Sequence, residues 1–156
     1  MMTTLRILYT SISGNTKEFV ESLQAYAAKE HKIDTDLPLI DLTEISDVTP
    51  DHEETTPYFA FVPTYLSSSN GIKNGDDELL TEALGEYISY KDNRKFCLGV
   101  IGSGDPLYED QYVLTARQYS EKFGFPVLAD YEQGGNDKDV ARIYLTLRSA
   151  AEKQSK

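Results

Sequence analysis

Apolar and polar positions follow two rhythms along this chain. Short β-type runs occur at Leu5 to Tyr9, Tyr58 to Val62, Phe96 to Ile101 and Val127 to Tyr131. The second stops at Pro63 and the third at Gly102-Ser103-Gly104. Such brief, nearly continuous apolar stretches suit strands covered on both faces. Between them the spacing turns helical. Phe19, Val20, Leu23, Tyr26 and Ala27 predict a helix from about Asn15 to Lys29. Leu79, Leu80, Ala83, Leu84, Tyr87 and Ile88 carry another. A third is predicted from about Asp110 to Phe123, and Val140, Ile143, Tyr144 and Leu147 line a last one. The polar tail Glu152 to Lys156 is expected to fray. Ile33 to Leu42 reads as extended, with Pro38 at a strand end or edge. Thr43 to Pro57 is aperiodic and reads as a loop, its acidic run Asp47 to Glu54 solvated. Thr64 to Asp77, rich in Ser, Asn and Gly, reads as a loop long enough for function.

Strands alternating with helices predict an α/β fold with a parallel sheet covered on both faces. Five strands point to the doubly wound order 2-1-3-4-5, with residues 1–156 as a single domain. In such a sheet a ligand sits beyond the carboxyl ends of the strands, at the switch between the first and third. The loops after strands one, three and four are rich in glycine and hydroxyls, and all three would converge there.

Composition narrows the partners. The formal net charge of −11 argues against nucleic acid and anionic membrane surfaces. No apolar run approaches a membrane span, and Met1 to Tyr9 lacks the features of a signal peptide. The expected compartment is the cytoplasm. The single cysteine, Cys97, excludes an internal disulfide framework and a Cys-based zinc site, and reads as a small buried hydrophobe. His31 and His52 lie in polar stretches and read as solvated, so no metal site is expected.

The loop chemistry is more specific. After the first strand, Thr10-Ser11-Ile12-Ser13-Gly14-Asn15-Thr16 places hydroxyls and an amide at the start of a helix. Free N–H groups and the helix dipole favour an anion there, and Gly14 permits close approach. The turn carries no Lys or Arg and lacks the P-loop pattern, so it suits one phosphate monoester. Ordinary helix capping is the competing explanation. The second loop offers Pro63, Thr64, Tyr65, Leu66, Asn70 and Gly71; the third offers Gly102, Ser103, Gly104, Asp105 and Tyr108, with Tyr112 beyond. A planar cofactor held by its phosphate and stacked on tyrosine fits these parts, and flavin mononucleotide (FMN) is the natural candidate. Tyr65 and Tyr108 read equally as loop anchors, and Asp105 as a turn cap before Pro106. Lys73 either answers cofactor or partner charge or is simply exposed.

Two other users of this strand order fail. A phospho-receiver domain needs an Asp ending the third strand, where this chain has Val62-Pro63-Thr64. A small tyrosine phosphatase needs a Cys nucleophile with an Arg in its phosphate loop, and no Arg lies in reach of Cys97.

Ser11-Ile12-Ser13-Gly14-Asn15-Thr16 resembles the flavodoxin phosphate loop. The chain is more similar still to one branch of that superfamily, the NrdI family, over nearly its whole length. The matching pieces are Ser13 to Val20, Pro63-Thr64-Tyr65, Gly99-Val100-Ile101-Gly102-Ser103-Gly104, and Gly134-Gly135 followed by Asp139-Val140. It departs from the branch at Asp105-Pro106-Leu107-Tyr108, where an Asn-Arg-Asn-Phe-like sequence is usual, and at Tyr112-Val113, near which the family often has a Cys. The resemblance implies an FMN protein that supplies superoxide, made from dioxygen, to the radical-bearing small subunit of a class Ib-type ribonucleotide reductase. It would be reduced by a flavin reductase or a flavodoxin-type reductant. The flavin does the chemistry in such a protein, so no catalytic side chain is expected. An electron-transfer flavodoxin serving another enzyme is the alternative.

Overall fold

The computed structural model describes residues 4–10, 15–46, 48–63, 83–104, 114–132 and 135–155. Its strands are β1 (Thr4–Tyr9), β2 (Leu39–Glu44), β3 (Tyr58–Pro63), β4 (Cys97–Gly104) and β5 (Val127–Glu132). Its helices are α1 (Asn15–Ile33), α2 (Ala83–Ser89), α3 (Leu114–Phe123) and α4 (Asp137–Ser155), with a short 3-10 turn at Asn93–Phe96. The strands form one sheet in the order β2-β1-β3-β4-β5, and every pairing is parallel. This is the doubly wound order expected from the sequence.

The sheet separates two apolar layers. On one face Leu5, Ile7, Tyr9, Phe59, Phe61 and Ile101 pack with Phe19, Val20 and Leu23 of α1 and Val140, Ile143 and Leu147 of α4. On the other, Leu8, Tyr58, Ala60, Val62 and Val100 meet Leu84 and Ile88 of α2 and Ala116, Tyr119 and Phe123 of α3. Alternate residues of β1 and β3 therefore serve opposite layers, which makes their runs continuously apolar. Cys97 is buried, as expected for a small hydrophobe. Its Sγ donates to the Gly99 carbonyl (3.3 Å), and burial pushes its thiol up to about 12.

Boundaries moved where local signals were weak. The helix predicted to end near Lys29 runs to Ile33, and β2 begins only at Leu39. Nothing between Lys29 and Ile33 breaks a helix, and His31 and Lys32 in the last turn complement its dipole. The chain then reverses through Asp34, whose carboxylate accepts from the Asp36 N–H (3.0 Å). His31, expected to be solvated, bonds through Nδ1 to the Leu37 carbonyl (2.7 Å). The tail expected to fray stays helical to Ser155.

Asn136 and Asp139 begin α4 as a reciprocal cap. The Asp139 N–H donates to Asn136 Oδ1 (3.0 Å) and the Asn136 N–H to Asp139 Oδ2 (3.1 Å). The Tyr144 hydroxyl donates to the Pro38 carbonyl (2.6 Å), tying α4 to the entry of β2.

The expectation of a wholly solvated acidic run is also corrected. Glu54 is buried. Its carboxylate accepts from Arg6 Nη1 and from the Tyr87 hydroxyl, and its N–H donates to Asn93 Oδ1 (2.7 Å). The Asn93 amide donates to the carbonyls of His52 and Tyr87 (both 2.9 Å), and the Tyr58 hydroxyl donates to the Asn93 carbonyl (2.9 Å). This network fastens the loop before β3 to α2.

Candidate functional site

The carboxyl ends of β1, β3, β4 and β5 and the amino end of α1 bring together the describable part of the predicted site. Thr10 follows β1 and is largely buried, and Thr16 lies in the first turn of α1 with 2% of its surface exposed. Pro63 ends β3 opposite Ser103 of β4. Ser103 in turn lies opposite Tyr131 of β5. Gly102, Ser103 and Gly104, read from sequence as the start of a loop, are the last three residues of β4. Their pairing with both neighbouring strands extends the ladder to that point. Ser11, Ser13, Gly14, Thr64, Tyr65, Leu66, Asn70, Gly71, Lys73, Asp105, Tyr108 and Tyr112 lie outside the described residues, as does the side chain of Asn15, whose backbone begins α1.

Sequence reasoning missed Tyr131. It is 2% exposed and stacks on Phe19 of α1, with ring centroids 3.9 Å apart and planes 15° apart. It is the register partner of Ser103. Burial pushes its pKa up to about 12; the Ser103 and Thr16 hydroxyls pull it partly back, and the negative charge of Asp139 adds slightly to the rise. One signal was available: a tyrosine at the carboxyl end of a parallel strand, followed by Gly134-Gly135, is where a doubly wound sheet places ligands.

Gly135 makes the stack possible. Its N–H closes a turn on the Glu132 carbonyl (2.8 Å), and its φ is +71°. A Cβ there would lie 2.6 Å from two carbons of the Phe19 ring and 3.2 Å from the Tyr131 ring. Only glycine accommodates both the backbone angle and the adjoining rings.

Thr16 is the chemically unfinished group. Its buried Oγ1 has no hydrogen-bond partner among the described residues, although the Tyr131 hydroxyl stands near enough to feel it. A buried unpaired hydroxyl costs about 1–3 kcal/mol. Here it stands in the first turn of a 19-residue helix, where an acceptor with negative charge is favoured.

The model of the NrdI flavodoxin-like family matches residues 7–145. The chain belongs to that family. An NrdI-like protein of Streptococcus pyogenes serotype M18 is 42% identical over 160 residues, spanning 99% of this chain and all of that one. An NrdI-like protein of Streptococcus pneumoniae strain R6 is 42% identical over 91% of each chain, and protein NrdI of Bartonella tribocorum is 32% identical over 87% of each. Among solved structures, a short-chain flavodoxin associated with a bacterial microcompartment superposes with a TM-score of 0.58 at 17% identity, over 98% of this chain and 99% of that one. A flavodoxin from the domain Archaea gives 0.52 at 14% identity over the same shares. These likenesses establish the flavodoxin-like fold, and membership of the NrdI branch implies a flavin cofactor. No described helix is long and apolar enough to cross a membrane.

Proposed function

We propose that this protein binds FMN and acts as the oxidant source for radical assembly in the small subunit of a class Ib-type ribonucleotide reductase. Family membership supports the role, and the unpartnered Thr16 hydroxyl is the observation that carries the cofactor. A phosphate monoester presents only acceptor oxygens, which is what a buried hydroxyl and the free N–H groups of a helix start lack. The fit is therefore good at the one end of the cofactor site that can be tested.

In this reading Thr16 and the backbone of the α1 start hold the phosphate. Ser11, Ser13, Gly14 and Asn15 complete that loop. Tyr65 and Tyr108 flank the ring system, and Gly102 to Gly104 bring backbone close to its edge. Once reduced, bound FMN supplies the electron that converts dioxygen to superoxide. The side chains bind and orient the cofactor and offer no acid, base or nucleophile to the reaction. The same reading assigns docking of the reductase subunit to the segments Ser67 to Asp77 and Asp105 to Tyr108, which follow β3 and β4 in the chain.

The test mixes reduced protein, dioxygen and the cognate small subunit loaded with manganese or iron, and follows radical formation by electron paramagnetic resonance. A radical that depends on this protein and survives superoxide dismutase supports channelled delivery. Absence of a radical under every metal loading, with FMN bound and electrons passed to another acceptor, replaces the reading with an ordinary electron-transfer flavodoxin.

A further inference from the structure

The amino end of the sheet carries a surface that the candidate cofactor site does not use. A hollow of about 570 Å³ lies against the second half of α4, with Leu98, Pro126, Leu128, Leu145, Ala150 and Lys153 in its wall. A second, of about 360 Å³, lies between the 3-10 turn and the entry of β5, with Arg94, Lys95, Phe123 and Phe125 in its wall. The two adjoin across Leu98 and Pro126, which line both. We propose that this groove docks an extended acidic segment of a partner protein, whose apolar side chains fill the hollows and whose carboxylates meet the cations at either end. The inference goes beyond the FMN reading and does not depend on it.

Charge complementarity carries the argument. The chain has 26 acidic residues against 15 lysines and arginines. Yet among the described residues no Asp or Glu lines either hollow, and the charged residues that do are Arg94, Lys95 and Lys153. Arg94 and Lys153 form no ion pair among the described residues, and Lys95 has only the exposed Asp92 at 3.6 Å. An acidic surface with one cationic groove repels an acidic segment elsewhere and so selects where it lands. The floor argues for a peptide over a bare phosphate: Leu98, Leu128 and Leu145 offer no side-chain donor, and Leu145 is 56% exposed, so an apolar side chain laid on it gains by leaving water. The groove is also preformed. Hydrogen bonds from the Tyr58 hydroxyl and the Asn93 amide fix the turn that carries Arg94 and Lys95. Leu128 is skipped where β5 shifts register against β4, and its side chain lies across Gly99, where a Cβ would stand 2.4 Å from it. Pro126 lacks an N–H and the shift interrupts the ladder, so side chains rather than an added strand hold the segment. Because β4 and β5 begin here, a partner tethered in the groove leaves the carboxyl end of the sheet open to a second contact.

The experiment selects short peptides from a random displayed library on the wild-type protein and measures the enriched ones by fluorescence anisotropy. Enriched sequences should be acidic and apolar, and their binding should weaken with added salt. Leu145→Asp should weaken it roughly tenfold, through one lost apolar contact and one repelling charge, and Arg94→Glu roughly 3- to 10-fold. Both positions are exposed, and circular dichroism confirms the fold of each variant. Lys29→Glu makes the same change of charge on α1 and should leave binding unaltered. Enrichment of basic or uncharged peptides, no enrichment, or equal binding to Leu145→Asp and wild type would each overturn the proposal. Sedimentation supplies one more outcome: a dimer that Leu145→Asp dissolves would assign the groove to a second copy of this chain and overturn it as well. None of these results bears on FMN, which is titrated separately, so the two readings fail independently.

Discussion

Two buried polar clusters lie at opposite ends of the same sheet and differ in one respect. At the amino end, Glu54, Arg6, Tyr87, Asn93 and Tyr58 are joined by five side-chain hydrogen bonds, and Asn93 makes a sixth to the His52 carbonyl. At the carboxyl end, Thr16, Ser103 and Tyr131 are all buried, and among the described residues the Thr16 hydroxyl has no partner. Both clusters lose solvation on burial, but only the first recovers it among the described residues. A satisfied network closes a loop and stabilises a fold. An unsatisfied one in a crevice is incomplete until a ligand arrives. Burial and polarity are the same in kind at both ends, so neither would have separated structure from function.

The largest effect that sharpens this contrast is expected from Glu54→Ala. Removing the carboxylate leaves the Tyr87 hydroxyl without its acceptor and Arg6 Nη1 with only Thr56 Oγ1. The loss should be about 3 kcal/mol, at the low end for a buried pair because Arg6 is partly exposed. Urea unfolding measures it, and FMN affinity of the folded fraction should not change. A loss of FMN binding without a loss of stability would dissolve the distinction between the two ends.

Alkaline pH should give the next largest effect. Cys97 and Tyr131 are both pushed up to about 12 by burial, from ordinary values of 9.0 and 10.0. Each holds its proton longer in the folded chain than in the unfolded one. Their contribution is therefore whole below pH 9, and declines as pH rises from about 9 to about 12. The slope is about 1.4 kcal/mol per pH unit for each group titrating only in the unfolded state. Urea midpoints across pH 8 to 11 should fall, and Cys97→Ala and Tyr131→Phe should each flatten the decline. An unaltered slope in Tyr131→Phe would mean that its phenol is not held as described.

Gly135→Ala should cost about 2 kcal/mol, from the left-handed backbone and the contact with Phe19. Thermal or urea unfolding would show it, and the disturbed Phe19–Tyr131 stack should also weaken FMN. Stability loss with unaltered FMN affinity would separate the stack from the site.

Thr16→Val gives the smallest change in stability and the most telling sign. Replacing an unpartnered buried hydroxyl by a methyl should leave urea stability within about 1 kcal/mol or raise it, while FMN binding falls. A marked destabilisation of the apoprotein would show that Thr16 already has its partner, and the two ends would then be alike.

The periodicity of apolar positions determined the element order and, with it, the sheet order, because alternation of buried strands and amphipathic helices admits few topologies. The start of α1 at Asn15 was legible because helix-start chemistry is local; Ser11, Ile12, Ser13 and Gly14 lie outside the described residues. Glu54 was misread because its acidic neighbours are solvated and its partners, Arg6 and Tyr87, lie 48 and 33 residues away. Tyr131 was read only as a strand residue because its meaning depends on Thr16, Ser103 and Phe19, which join it through the register of β4 with β5 and the packing of α1. A side chain's periodicity is set by the backbone on either side of it, so sequence alone decides which face it takes. Whether a buried polar atom finds a partner is set by distant chain segments brought together by packing, so only the tertiary structure decides that.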